Sequence, residues 1–223
     1  TCRRWRATFL VLASLASLTW AFAGVLNPAM SQLHAFVSEY SARDQPWRYL
    51  FQTTDVIMGT LLCLAGLATL VWARHRPLGR QGWSGVGFVA GGFFSVLDAL
   101  VTMDCSPTRS QACMAAEEAG HVSVNHIVHV GTSTIVVVGF ALPILLLNST
   151  MTRFRGFGLV VTWAWVVFTL LNGIGAVGWF VGTPMDYTGI WQRFSLGLGT
   201  LWWLILAADD IVTARVQDRA RSC

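Results

Sequence analysis

The chain has 223 residues, of which 54% are hydrophobic and 12% charged, and its mean hydropathy is +0.57. A soluble domain carries roughly 25% charged residues, so most of this surface faces something other than water. The net charge of +4 comes from arginine alone. The arginines cluster at the ends of apolar runs, as membrane topology requires, and no stretch resembles a nucleic-acid-binding module.

A membrane-spanning helix needs about 20 apolar residues. Six spans with short loops use nearly the whole length, so we expect an all-α bundle forming one domain over residues 1–223. The first apolar run covers residues 5–26 behind Arg3, Arg4 and Arg6, and stops at Asn27-Pro28. A signal peptide cleaved after Ala21-Phe22-Ala23 competes with this reading. The run continues past that site and is long enough to span, which favours a retained helix. Residues 27–48 form the first loop. Leu33, Phe36, Val37 and Tyr40 recur there at helical spacing, with Gln32, Ser38, Glu39 and Ser41 between them. That pattern fits either a short helix lying on the membrane surface or a folded loop packed on the bundle.

The second span is expected at about 50–72, with Asp55 roughly one turn inside it. Arg74, His75, Arg76 and Arg80, with Pro77 and Gly79, make a basic turn. The third span, about 82–103, carries Gly87 and Gly91 in a small-xxx-small pattern that permits close helix contact. Its last turns hold Asp98. The fourth, about 124–147, contains Pro143, where a kink is expected. After Arg153 and Arg155 comes the fifth, about 157–181, with Asn172 inside and Gly178 and Gly182 repeating the small-xxx-small pattern. Asn172 is expected to make an interhelical hydrogen bond. A loop with Pro184, Asp186, Tyr187 and Gly189 leads to the sixth span, about 191–212. Asp209 and Asp210 lie near its end, beside Arg215, where solvation and an ion pair are expected.

Arginine favours one side eleven to four: Arg3, Arg4, Arg6, Arg74, Arg76, Arg80, Arg153, Arg155, Arg215, Arg219 and Arg221, against Arg43, Arg48, Arg109 and Arg193. Positive charge marks the cytoplasmic side. Both termini are therefore expected in the cytoplasm and the loop after span three outside, in a protein of the plasma (inner) membrane. Trp47, Trp72, Trp83, Trp179 and Trp191 fall near span boundaries, where indole rings favour the interface.

The polar chemistry is concentrated between Asp98 and His129. Cys105 and Cys113 flank a short loop turned by Pro107. In an oxidising outer compartment their side and spacing predict a disulfide. Glu118, His121, Asn125 and His129, on one helix, would lie within about 80° of one another. They make a polar stripe that Gly120 threatens to interrupt, with His126 beyond one edge. Ser95, Asp98 and Thr102 share a face of span three, and Asp55 enters span two from the same side. Ionisable groups in a bilayer cost about 2.5–3.5 kcal/mol each by insertion scales and turn inward to find partners. Asp98 with His129, and Asp55 with His126, are the natural pairs.

Asp55, Asp98, Asp104, Glu118, His126 and His129 are thus the candidate pocket residues. One reading is a pocket open to the outside that binds or moves a lipid headgroup or small solute. Another is a membrane hydrolase with a divalent metal such as zinc on His126, His129 and Asp98. A third is a buried polar network in a structural partner subunit. The spacing of His121, His126 and His129 is not HExxH, and the chain has no phosphate loop, dinucleotide fingerprint or nucleophile elbow.

Met103-Asp104-Cys105-Ser106-Pro107, Cys113, Glu117-Glu118-Ala119-Gly120, and His126 with His129 carry a resemblance to a known family. In these residues the chain resembles the bacterial and archaeal membrane proteins grouped as "domain of unknown function 998". The resemblance implies six spans and an outward loop bearing these Asp, Cys and His residues. It brings no activity with it, and His121 lies outside its pattern.

Overall fold

A computed structural model describes residues 2–74, 79–181 and 187–222, with backbone alone at Trp179, Phe180, Arg221 and Ser222. Thr1, His75, Arg76, Pro77, Gly182, Pro184, Asp186 and Cys223 lie outside the described residues. So do the expected roles of the Trp179 and Arg221 side chains. Six helices are long and apolar enough to cross a membrane, and no strand occurs among the described residues. Span one is the helix Cys2–Ser17 continued through a tight 3₁₀ stretch, Leu18–Phe22, and the turn Ala23–Leu26. Spans two to six are Arg48–Ala73, Arg80–Leu100, Val124–Leu147, Arg155–Phe180 and Thr188–Ser222. A short helix, Gln111–Glu118, lies in the loop between spans three and four.

Span three ends slightly early, and span six runs well past its expected end. Span three stops at Leu100 rather than near residue 103, because tertiary partners take up its last carbonyls. Span six runs on past residue 212, and its added turns carry exposed Arg215, Asp218 and Arg219. They extend beyond the apolar slab as a water-facing helix.

Both ends of the chain lie on one face of the bundle, where Arg4 pairs with Asp218. The disulfide loop lies on the other. Around the bundle the neighbours run four, three, two, one, six, five. Spans two, three and four pack through glycine. A Cβ on Gly139 would stand 2.6 Å from the Gly91 amide nitrogen, and one on Gly87 would stand 2.7 Å from the Gly139 carbonyl oxygen. That oxygen is the one whose helical hydrogen bond Pro143 removes. On span three's other side Gly92 meets Gly59 in the same way. The expected Gly87 and Gly91 pair is therefore a contact surface for span four.

Spans four and five, adjacent in sequence, are the two ends of this series. Among the described residues, the hydrogen bonds that tie them lie at the terminal face. There Asn148 donates to Thr162 Oγ1 at 2.7 Å and accepts from Trp202 Nε1 at 3.2 Å. Beyond that tie they part.

The terminal face is closed by carboxylates. Asp210, fully buried, receives two hydrogen bonds from buried Arg6 at 2.6 and 2.7 Å. Arg3 and Arg6 lie over the Trp72 ring at 4.6 and 5.5 Å. Asp209 accepts the backbone amides of Thr152, Arg153 and Phe154 at 3.0, 2.7 and 3.2 Å. The expectation of a solvated pair beside Arg215 is corrected: both aspartates are buried, and Arg215 is exposed. Ala7, Leu10 and Ala13 of span one belong to the same core as Trp202 and Leu206 of span six.

The glycine contacts generate a test. Gly139→Ala places a methyl against the Gly91 backbone and should cost about 1–3 kcal/mol, as overpacking does. Gly131→Ala, on the same helix with nothing within 4 Å of the added carbon, should leave stability unchanged or slightly raised. Thermal unfolding in detergent reads both. Equal behaviour of the two variants would show that the glycine seam does not hold spans three and four.

Candidate functional site

The first loop folds onto the bundle rather than lying on the membrane as an amphipathic helix. Its 3₁₀ turn, Val37–Ser41, buries Glu39 and Tyr40 completely. The loop is strapped to the start of span six. Ile190 donates its amide to Leu33 O at 3.2 Å, Thr188 Oγ1 donates to His34 O at 3.0 Å, and Arg193 donates to Ala35 O at 2.8 Å. Gln192 accepts the Val37 amide.

Glu39 joins this loop to the disulfide loop. One carboxylate oxygen accepts the Ser106 hydroxyl, the Thr108 hydroxyl at 2.6 Å and the Thr108 amide at 3.1 Å. The other accepts the Phe36 amide at 2.9 Å. Burial raises the Glu39 carboxyl above its ordinary value, and these donors offset only part of that rise. Cys105 and Cys113 form the expected disulfide, with 5.9 Å between Cα atoms.

The expected stripe of Glu118, His121, Asn125 and His129 is broken. The loop helix ends at Glu118, Gly120 takes φ +68°, and span four starts afresh at Val124. Glu118 and His121 are exposed. Asp104 instead caps the new start. It accepts the Ser123 amide at 2.6 Å and the Ser123 hydroxyl at 2.7 Å, with Arg43 at 3.4 Å. Burial pushes the Asp104 carboxyl up, but the Ser123 bonds, Arg43 and His126 outweigh it and hold it below its ordinary value.

His126 is buried, and its Nδ1 accepts the Asp104 amide at 3.3 Å. Its Nε2 faces Glu117 at 4.0 Å, too far for a hydrogen bond. The anticipated pair of Asp55 with His126 does not form.

Asp98 and His129 do meet. His129 Nδ1 stands 3.3 Å from Asp98 Oδ1, 3.1 Å from Asp98 O and 3.0 Å from Val101 O. Those carbonyls belong to the end of span three, which has no helical partners for them. Three acceptors around one nitrogen place the proton on Nδ1. His129 is therefore a side-chain cap for span three, which explains why that helix stops early. Asp98 Oδ1 also accepts Thr132 Oγ1 and, at 3.0 Å, Ser133 Oγ.

Two adjoining cavities flank this pair, sharing Ser38, Ser133, Val137 and Gln192 as a wall. The upper one, about 280 Å³, lies between spans four and five under the two loops. Glu39, Pro107 and Glu117 roof it, and His129, Asn172 and Val138 face it. The lower one, about 180 Å³, reaches from Asp55 and Asp98 down to Ile144, Trp165 and Trp203. Of the six candidates, His129 lines the upper cavity and Asp55 and Asp98 the lower. Asp104, Glu118 and His126 line neither. Sequence reasoning missed Glu39, Glu117 and Gln192. Glu117 is itself one of the motif residues, but the sequence pattern singles out Glu118, its exposed neighbour.

Four polar atoms around the upper cavity are buried without a hydrogen-bond partner: Glu117 Oε2, His126 Nε2, His129 Nε2 and Asn172 Oδ1. The interhelical hydrogen bond expected of Asn172 is absent. Among the described residues no three His, Cys, Asp or Glu side chains form a group able to hold a metal ion.

The family model described as "Protein of unknown function (DUF998)" matches residues 10–209. The chain belongs to this family. Comparison with curated proteins and with solved structures gave no match. The matched region takes in all six spans, both loops and both cavities.

The depressed Asp104 carboxyl has a signed consequence. A carboxylate held below its unfolded value stabilises the fold above that value, and the contribution is lost as pH falls through the folded value. Asp104→Asn should lower the thermal midpoint at pH 7 and flatten the decline on acidification below about pH 4, the ordinary aspartate range. Parallel melting curves for the variant and the parent at every pH would show that the cap does not titrate as described.

Proposed function

We propose that this membrane protein binds an amphiphile, a lipid or a lipid-like small molecule, with its polar head under the two loops and its chain between spans four and five. The observation that carries this reading is the graded lining of the two adjoining cavities. Glu117, His129 and Asn172 stand at the loop end, and Val137, Val138, Ile144 and Trp165 lie deeper. Binding pockets are mostly apolar, with a few placed polar groups that fix orientation. Thr134, Val138 and Gly173 of the upper wall are exposed on the bundle's flank. The entry therefore opens sideways, onto surface that lipid covers.

The arginine bias supports a cytoplasmic terminal face, with the disulfide loop and the head of the ligand on the outer side of the plasma membrane. The disulfide agrees with an oxidising compartment on that side. A metal-dependent hydrolase finds less support, because His129 Nδ1 is turned to Asp98 and the span-three carbonyls while His126 Nδ1 accepts the Asp104 amide.

Two experiments test the reading. In the first, Arg109→Cys, with Cys2, Cys63 and Cys223 replaced by Ser, should react with an impermeant thiol reagent from outside the cell. Reaction only after the membrane is opened would reverse the orientation. In the second, native mass spectrometry from lipid nanodiscs should find an amphiphile on the parent protein. Val137→Trp, which fills the shared wall, and Ala176→Phe, on the span-five side, should both lose it while melting within a few degrees of the parent. Full retention of the bound mass by both variants would overturn the site.

A further inference from the structure

Resting on that reading, the upper cavity's unmet polar atoms specify the head of the ligand. His129 is 2% exposed, and its Nδ1 is committed to three acceptors on span three. In the neutral ring Nε2 then carries a lone pair, and this nitrogen is buried without a partner at the cavity wall. Glu117 Oε2, a carboxylate oxygen on the same cavity, is also without one. Asn172, whose amide can turn to suit its neighbour, presents its carbonyl oxygen unmet from the opposite side. The fixed atoms are acceptors, and one of them is anionic.

His126 Nε2 does not alter this. Its Nδ1 accepts the Asp104 amide, so in the neutral ring Nε2 carries a proton. It faces Glu117 and is not part of the cavity lining. Neither arginine nor lysine lines either cavity. A phosphate or carboxylate head would enter with no cation to meet it and with Glu117 opposing it. Buried acceptors without donors destabilise the fold, and a donor-bearing ligand removes that cost.

We infer that the cavity takes an amphiphile whose buried head is a primary ammonium, its N–H groups donating to Glu117 Oε2, His129 Nε2 and Asn172 Oδ1. A quaternary ammonium has the charge but no donors. A polyol has donors but no charge to match Glu117.

The test uses the full chain in phosphatidylcholine nanodiscs, which contain no primary amine. Dodecylamine, dodecyltrimethylammonium, dodecyl glucoside and dodecyl phosphate are added at equal mole fraction, and bound copies are counted by native mass spectrometry. Dodecylamine should be retained at least tenfold better than the other three. That preference should fall to within about threefold in Glu117→Gln and in Asn172→Leu. Neither side chain makes a hydrogen bond among the described residues, so both variants should fold as the parent does. Equal retention of all four heads, or preference for the phosphate or the glucoside, would overturn the ammonium inference and leave the amphiphile site standing. Retention of none, with Val137→Trp indistinguishable from the parent, would overturn the site itself. An amine preference that survives in both variants would place the ammonium elsewhere and also refute the inference.

Discussion

The upper cavity depends on the buried Glu39 carboxylate. The first loop and the disulfide loop are separate polar segments, and water could hold them apart. Four donors converge on Glu39, three of them from Ser106 and Thr108 of the disulfide loop. A buried carboxylate with all its donors in place holds the two loops together. Stripped of them, it becomes an uncompensated buried charge, and such a loss costs about 3–5 kcal/mol when an ion loses its partner. The loops therefore close together or not at all. The Cys105–Cys113 bridge narrows the disulfide loop's choices before that clamp forms. The hydrogen bonds from span six then fix the first loop over the seam between spans four and five.

That seam exists because apolar surface drives no association between helices inside lipid. Helices there adhere through close packing and hydrogen bonds. Spans two, three and four have both: close packing at Gly59, Gly87, Gly91, Gly92 and Gly139, and hydrogen bonds from Cys63 to Val89 O and from Thr132 and Ser133 to Asp98. Span five meets span six through Thr169 and Ser195, whose hydroxyls bond at 2.7 Å. Between spans four and five the Asn148–Thr162 bond sits only at the terminal end. The bundle is thus one packed series of spans whose two ends, four and five, are joined at the terminal face and bridged by loops at the other, and the space left between those ends is the cavity. A glycine seam at one interface and its absence at the next make the cavity, without any strained backbone.

The six spans were legible in the sequence because length and apolarity suffice to define them. The disulfide was legible from spacing and side, and the meeting of Asp98 with His129 from the cost of leaving either alone in lipid. Three features were not. Glu39 sits among residues with amphipathic spacing, so its neighbours suggest a surface helix. Its burial depends on Ser106, 67 residues away, and no local pattern encodes that. The stripe through Glu118 failed because Gly120 adopts a left-handed turn that ends one helix and lets Ser123 and Asp104 start another. Asp209 and Asp210 read as a solvated helix end, since nothing in their own segment announces Arg6 or the amides of residues 152–154. Apart from the Gly120 turn, each miss is a polar group whose partner comes from another span or loop.

The same comparison separates the two ends of the molecule. At the terminal face the carboxylates are answered: Asp210 by Arg6 and Arg3, Asp209 by three amides, Asp218 by Arg4. At the loop end Glu39, Asp98 and Asp104 are answered just as fully, so the chain is able to satisfy buried acids there too. Glu117 Oε2, His129 Nε2 and Asn172 Oδ1 are nonetheless left open, and the Asp55 side chain, which borders the lower cavity, has no hydrogen bond among the described residues. Folding alone gains nothing from this. Each open atom subtracts about 1–3 kcal/mol from stability until something in the cavity meets it. The unmet acceptors Glu117 Oε2, His129 Nε2 and Asn172 Oδ1 lie where spans four and five part and where the lining changes from polar to apolar, which is the arrangement expected when a ligand, rather than the fold, completes the hydrogen bonding.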